Sequence, residues 1–168
     1  MLIFKWIKQV KEDLGFRTTH RHMVALMFSN PGLRCLALLR LQALSYACGR
    51  YRFSNFLRFR ILSNYSMDSV PGCTIGKAFR IEHPVGIVIG KGVVIGNHVT
   101  ISSGVTLGEK YNDNRSNRTY PHIGNRVSIG AGATVLGNVQ IGDDVTIGAG
   151  SIVLASVDSG STITGIHK

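Results

Sequence analysis

The stretch VSIGAGATVLGNVQIGDDVTIGAGSIVL, residues 127–154, decides how this chain folds. An aliphatic residue returns at every sixth position, at Ile129, Val135, Ile141, Ile147 and Val153. Four residues after most of these comes a second small or branched apolar residue: Ala133, Val139, Val145, Val157. Upstream the same beat passes through Ile75 and Ile81, slips by two residues, and resumes at Ile89, Ile95, Ile101 and Leu107. It halts for a polar insert and restarts at Ile123. A period of six suits neither an amphipathic helix nor an alternating strand. It suits a solenoid of short strands and tight turns, three sixes to a triangular coil. The left-handed parallel β-helix has that geometry, against the usual right-handed rule for crossovers. The 20 glycines among 168 residues agree, since tight corners favour a residue without a Cβ.

The charge is uneven. Residues 1–66 carry eleven Lys/Arg against two acids, so most of the net charge of +10 lies there and not in the repeat. No nucleic-acid recognition motif accompanies it, and nucleic acid is not expected as a partner. Anionic lipid or another polyanion is the second reading of the patch, and simple solubility the third. Residues 2–14 place Leu2, Ile3, Trp6, Ile7 and Val10 near one face of a basic amphipathic helix, expected to lie on its own protein or a neighbouring subunit in preference to a membrane. An apolar segment follows at Met23–Phe28. Ser29-Asn30-Pro31-Gly32 then reads as a turn that starts a helix over Leu33–Ala47, ended by Gly49. Arginines alternate with aromatics in RYRFSNFLRFRIL, residues 50–62, where Phe53, Phe56, Leu57 and Arg60 share a side expected to pack on a helix. Three cysteines without a CxxC, no signal-peptide pattern and no apolar run of ~18 residues lead to a cytoplasmic expectation.

Two places break the repeat. Ile81-Glu82-His83-Pro84-Val85-Gly86 puts an acid and a histidine where a neutral turn would serve. Residues 108–122 hold a loop with no apolar beat, GEKYNDNRSNRTYPH. A loop ejected from a rigid solenoid is a common place for a binding site.

At these residues the chain resembles the hexapeptide-repeat acyltransferases, in particular the serine acetyltransferase family and its polysaccharide O-acetyltransferase relatives. Ser29–Gly32 with its helix, Asp68-x-x-Pro71, Glu82-His83-x-x-Gly86-Ile87-Val88-Ile89-Gly90, Val105-Thr106-Leu107-Gly108 and Ile129-Gly130-Ala131-Gly132-Ala133 carry the likeness. It divides the chain into a helical segment, 1–66, and a left-handed β-helix acyltransferase domain, 67–168, with the inserted loop. It implies acetyl-CoA as donor and a homotrimer, alone or paired with a second trimer, with active sites between subunits. It also implies that His83 is the catalytic general base, supported by Asp68, with Glu82 as the second carboxylate. The family's Arg-His-Pro after the loop is Thr119-Tyr120-Pro121 here, and Tyr120 and His122 are the expected acceptor-binding residues.

Moving an acetyl group from a thioester to a hydroxyl needs a base near neutral pH, which an imidazole supplies. A carboxylate on its other nitrogen would fix the tautomer. The oxyanion needs a donor, either a backbone N–H of the Gly108 region or a side chain of the insert, and Gly108 is also an expected cofactor-binding residue. Gly130, Ala131, Gly148 and Ala149 are small enough to let a pantetheine arm approach the backbone. Lys110, Arg115, Arg118 and Arg126 are available for the CoA phosphates. No metal is expected. The altered loop histidine favours a sugar hydroxyl in surface-polysaccharide synthesis as acceptor, small or carrier-linked, at the inner face of the cytoplasmic membrane. The alternatives are L-serine in cysteine synthesis, a zinc carbonic anhydrase using His83, His98 and His122, and a non-catalytic assembly protein.

Overall fold

A computed structural model describes residues 2–14, 19, 29–110 and 119–168. Among the described residues three helices precede the solenoid: α1 (Leu2–Leu14), α2 (Pro31–Ala47) and α3 (Tyr51–Tyr65). Asn30 caps α2, its side-chain oxygen accepting the Leu33 N–H at 3.0 Å, and Pro31 occupies the first turn, where no intrahelical donor is needed. Ser66 closes α3 in the left-handed conformation, φ 50°, its N–H reaching the Leu62 carbonyl. The Met23–Phe28 segment lies outside the described residues.

The chain then winds left-handed in coils of three short strands. The first coil holds β1 (Asp68–Ser69), β2 (Thr74–Ile75) and β3 (Arg80–Ile81). The second holds β4 (Val88–Ile89), β5 (Val94–Ile95) and β6 (Thr100–Ile101), and the third β7 (Thr106–Gly108), β8 (His122–Ile123) and β9 (Ser128–Ile129). The fourth is β10 (Thr134–Leu136), β11 (Gln140–Ile141) and β12 (Thr146–Ile147). Then β13 (Ile152–Val153), β14 (Thr162–Ile163) and β15 (Ile166–His167) finish the winding. All pairings are parallel and make three flat faces. Face A is β1-β4-β7-β10-β13-β15, face B is β2-β5-β8-β11, and face C is β3-β6-β9-β12-β14. The hexad aliphatics fill the prism. Ile89, Ile95, Ile101, Leu107, Ile129, Val135, Ile147 and Val153 are all buried, each stabilising by roughly 2 kcal/mol.

One glycine column has a reason other than its φ. At the edge between faces B and C, a Cβ on Gly76 would lie 2.4 Å from the Gly96 carbonyl oxygen, and one on Gly96 2.5 Å from that of Gly124. Stacked coils leave no room there. The left-handed positions of this edge belong instead to Ala78, His98, Arg126 and Asp144, with φ of 53–59°.

The helices are bolted to the first coil. Arg40 of α2 is buried, pairs with Asp13 of α1 at 2.7 Å and donates to the carbonyls of Ile75 and Gly76. The Trp6 indole donates to the Ala37 carbonyl at 2.7 Å. Thus α1 rests on α2 through Trp6, Val10 and Leu14, as expected for its own-protein contact, while Ile3 stays exposed. On α3 the expectation needs correction. The packed side is Ser54, Leu57 and Ile61, and Phe53 and Phe56 point outward with Phe59. Ser54 Oγ bonds the Gln42 carbonyl, which rotates the aromatic stripe away from α2.

Candidate active site

His83 stands where the solenoid's step changes. At the edge between faces C and A, backbone bonds tie equivalent corners of successive coils: Gly104 N–H to Val85 O, Gly132 N–H to Ser103 O, Gly150 N–H to Ala131 O. Ile101 to Leu107 is six residues, but Ile81 to Ile89 is eight. The two additional residues fall beside His83, which is exposed and left-handed at φ 56°. The lengthened corner lifts the imidazole out of the prism wall.

The N-terminus of α2 forms the facing wall. Gly32 lies so close to the Ile81 carbonyl that a Cβ would sit 2.3 Å from its oxygen. A cleft of about 320 Å³ results, lined by Ser29, Asn30, Pro31, Gly32, Ile81, Glu82, His83 and Pro84. Glu82, the neighbour of His83 in sequence, is exposed and lines the same cleft.

Asp68 is committed elsewhere. Its two oxygens accept from Arg58 Nε at 2.6 Å and Nη2 at 2.7 Å, and that bond pushes the Arg58 guanidinium pKa further up. No hydrogen bond joins Asp68 to His83 among the described residues. Asp68 lies on the outer side of β1, in register with Val88 of β4, past the corner that carries His83. Sequence reasoning missed Arg58, because nothing in a helix ten residues upstream announces a partner for a strand.

The expected cofactor residues divide between edges. Ala131 and Ala149 are exposed on the C–A edge, two and three coils beyond His83, about 10 and 14 Å along the axis at ~4.8 Å per rung. Gly130 is small for a different reason, because a Cβ there would lie 2.6 Å from Ala149 N. Gly148 has Thr164 Cγ2 3.2 Å from the same position. Arg126 sits on the B–C edge and is engaged, Nε to Asp144 Oδ1 at 2.6 Å. Gly108 ends β7 where the loop leaves, at the edge between faces A and B. Arg115 and Arg118 lie outside the described residues, and Lys110 is exposed.

Tyr120 and His122 end the loop on that A–B edge. The Tyr120 ring packs against Gly90 and Gly92, where added Cβ atoms would meet it at 2.9 and 2.2 Å. His122 opens β8 and faces outward. Roughly five extended residues of face A separate His83 from this edge, about 15 Å. One subunit therefore does not bring its own Tyr120 to its own His83. His83, His98 and His122 belong to three different parts of the prism, and no set of three metal-binding side chains converges among the described residues. His167 bonds the Ser156 carbonyl at 3.2 Å.

The profile described as bacterial transferase hexapeptide (six repeats) matches residues 120–155. A serine acetyltransferase of Buchnera aphidicola is 38% identical over 135 residues, covering 80% of this chain and 51% of that protein. A serine acetyltransferase of Synechocystis is 36% identical over 121 residues, 72% of this chain and 48% of its own length. The chain thus spans about half the length of these curated relatives. Among solved structures, Neisseria gonorrhoeae serine acetyltransferase in complex with serine superposes with TM-score 0.78 and 30% identity, over 96% of this chain and 67% of that one. Entamoeba histolytica serine acetyltransferase 1 with L-cysteine gives TM-score 0.82 and 30% identity, over 95% and 63%.

Proposed function

Because the chain belongs to the serine acetyltransferase family of hexapeptide-repeat acyltransferases, we propose that it transfers an acetyl group from acetyl-CoA to an acceptor hydroxyl at His83. The observation that carries this reading is the eight-residue corner. It presents one imidazole beside a cleft and at the foot of a column of small exposed residues, Ala131 and Ala149. The pantetheine arm lies along that column. His83 takes the hydroxyl proton as the acceptor oxygen attacks the thioester carbonyl. When the tetrahedral intermediate collapses, the carbon–sulfur bond breaks and the imidazolium returns the proton to the departing thiolate. Asp68 supports the imidazole only after its carboxylate turns from Arg58, so its part depends on the assembled, substrate-bound enzyme.

L-serine is the acceptor the relatives' names favour over the sugar hydroxyl expected from the sequence. Glu82 agrees with it, since a carboxylate lining the cleft suits an ammonium group better than a neutral sugar. One observation keeps the sugar as a second reading: Thr119 and Tyr120 replace the family's Arg-His, and Tyr120 is spent on Gly90 and Gly92. With some 15 Å between His83 and its own loop, a homotrimer that lends each His83 cleft the loop of a neighbouring subunit completes the site.

Following thiol release from acetyl-CoA with serine, or with a panel of sugars, tests both points. Serine turnover is expected, and His83→Ala should reduce it about 10²–10⁴-fold. Turnover of sugars alone overturns the serine assignment; an unimpaired His83→Ala overturns the mechanism.

A further inference from the structure

We propose that the outer face of α3 docks on an anionic lipid bilayer. The helix is amphipathic in an unusual sense. Its packed side is Ser54, Leu57 and Ile61, and its open side carries Phe53, Phe56 and Phe59 at 42%, 55% and 67% exposure. Arg52, Phe56, Phe59, Arg60 and Ser63 follow one another at helical spacings of four, three, one and three, so they form a single outward stripe. Phe53 and Phe56 stack at 6.2 Å, and Tyr51 and Leu62 add further exposed apolar surface. Contiguous aromatic exposure on a soluble surface marks a place that something covers.

Charge selects the occupant. No Asp or Glu occurs between Asp13 and Asp68 in the sequence, while eight arginines do. Arg40 and Arg58 are already neutralised by those two acids. Arg52 and Arg60 flank the phenylalanines, both exposed. A second α3 laid against this face would set arginine against arginine with no acid to intervene. A lipid surface answers both features: phenylalanine rings enter the boundary between headgroups and acyl chains, and arginines meet phosphate and serine headgroups. No described helix is long and apolar enough to span a bilayer, so the contact is peripheral. It goes beyond the acetyl-transfer reading and stands whether or not that reading does.

The test is sedimentation of the full chain with vesicles of pure phosphatidylcholine and of an equal mixture with phosphatidylserine. Binding is expected to the mixed vesicles alone, weakening with salt. Arg52→Gln with Arg60→Gln should lower it about twenty-five-fold, at about fivefold for each basic residue. Phe56→Ser with Phe59→Ser should abolish it, with the thermal melt and acetyl transfer in solution unchanged. Three results overturn the proposal. One is no binding to anionic vesicles. Another is binding lost with Phe4→Ser on α1, where Ile3 and Phe4 are also exposed, but kept in the α3 variants. The last is a change in the sedimenting mass of the lipid-free protein in the Phe56/Phe59 variant, which assigns the face to contact between copies.

Discussion

Two edges of the prism are built on opposite plans. Along the B–C edge each coil is stitched to the next by side chains. Asn97 Oδ1 accepts the Lys77 N–H at 2.9 Å, Asn125 Oδ1 the Asn97 N–H at 2.9 Å, and Asp143 Oδ1 the Asn125 N–H at 2.7 Å. Ser159 Oγ extends the ladder to the Asp143 N–H at 3.0 Å, and Arg126 clasps Asp144 across one coil. Along the C–A edge the left-handed positions are glycines, Gly86, Gly104, Gly132 and Gly150, and the exposed neighbours are as small as Ala131 and Ala149. The bonds that tie its corners, Gly104 N–H to Val85 O, Gly132 N–H to Ser103 O and Gly150 N–H to Ala131 O, join backbone to backbone, and the exposed His83 stands at its foot. An edge filled with its own side chains leaves less room for a ligand than a bare edge with an exposed imidazole at its foot.

That contrast can be broken in three ways. The largest effect is expected from adding one methyl group to each edge. Gly96→Ala drives a Cβ into the Gly124 carbonyl and should cost about 2–3 kcal/mol in denaturant unfolding. Gly150→Ala meets nothing within 4 Å and has only its φ of 68° against it, about 1 kcal/mol. Equal costs would mean that the edges do not differ in stacking. Next comes Ala149→Trp, which fills the bare column; KM for acetyl-CoA should rise about tenfold or more, the equivalent of ~1.4 kcal/mol, with the melting temperature held. An unaltered KM would place the donor elsewhere.

The smallest effect concerns pH. The Asn125 N–H holds the Asp143 carboxyl below its ordinary 3.8, and Arg126 does the same for Asp144. Carboxylates with depressed pKa stabilise the fold above their ordinary range and lose that contribution as pH falls through the folded value. The melting temperature of the parent should therefore fall toward that of Asp143→Asn/Asp144→Asn as the solution is acidified through and below about pH 4. The groups are solvent-exposed, so the shift should be slight and salt-sensitive.

Much of this was written in the residues. Eighteen residues make one coil, so Asn125 over Asp143 and Arg126 over Asp144 follow from counting, although Arg126 read from its type alone looked like a phosphate ligand. The two-residue slip between Ile81 and Ile89 is equally plain, and it marks His83. Counting also puts Ala131 and Ala149 one coil apart on a shared edge. Tyr120 is another matter: the loop breaks the count, and only the folded chain reveals its ring on Gly90 and Gly92.

The sequence by itself determined the solenoid, its core and the stacking of its corners, because a six-residue period leaves one register in which the hexad aliphatics pack together in the prism. Tertiary structure decided what periodicity does not encode. Gly32 against Ile81, Asp13 beneath Arg40, and Asp68 held by Arg58 join a helix to a helix or a coil through single contacts. Such contacts depend on how rigid bodies of different symmetry meet. The same packing turned three phenylalanines of α3 outward.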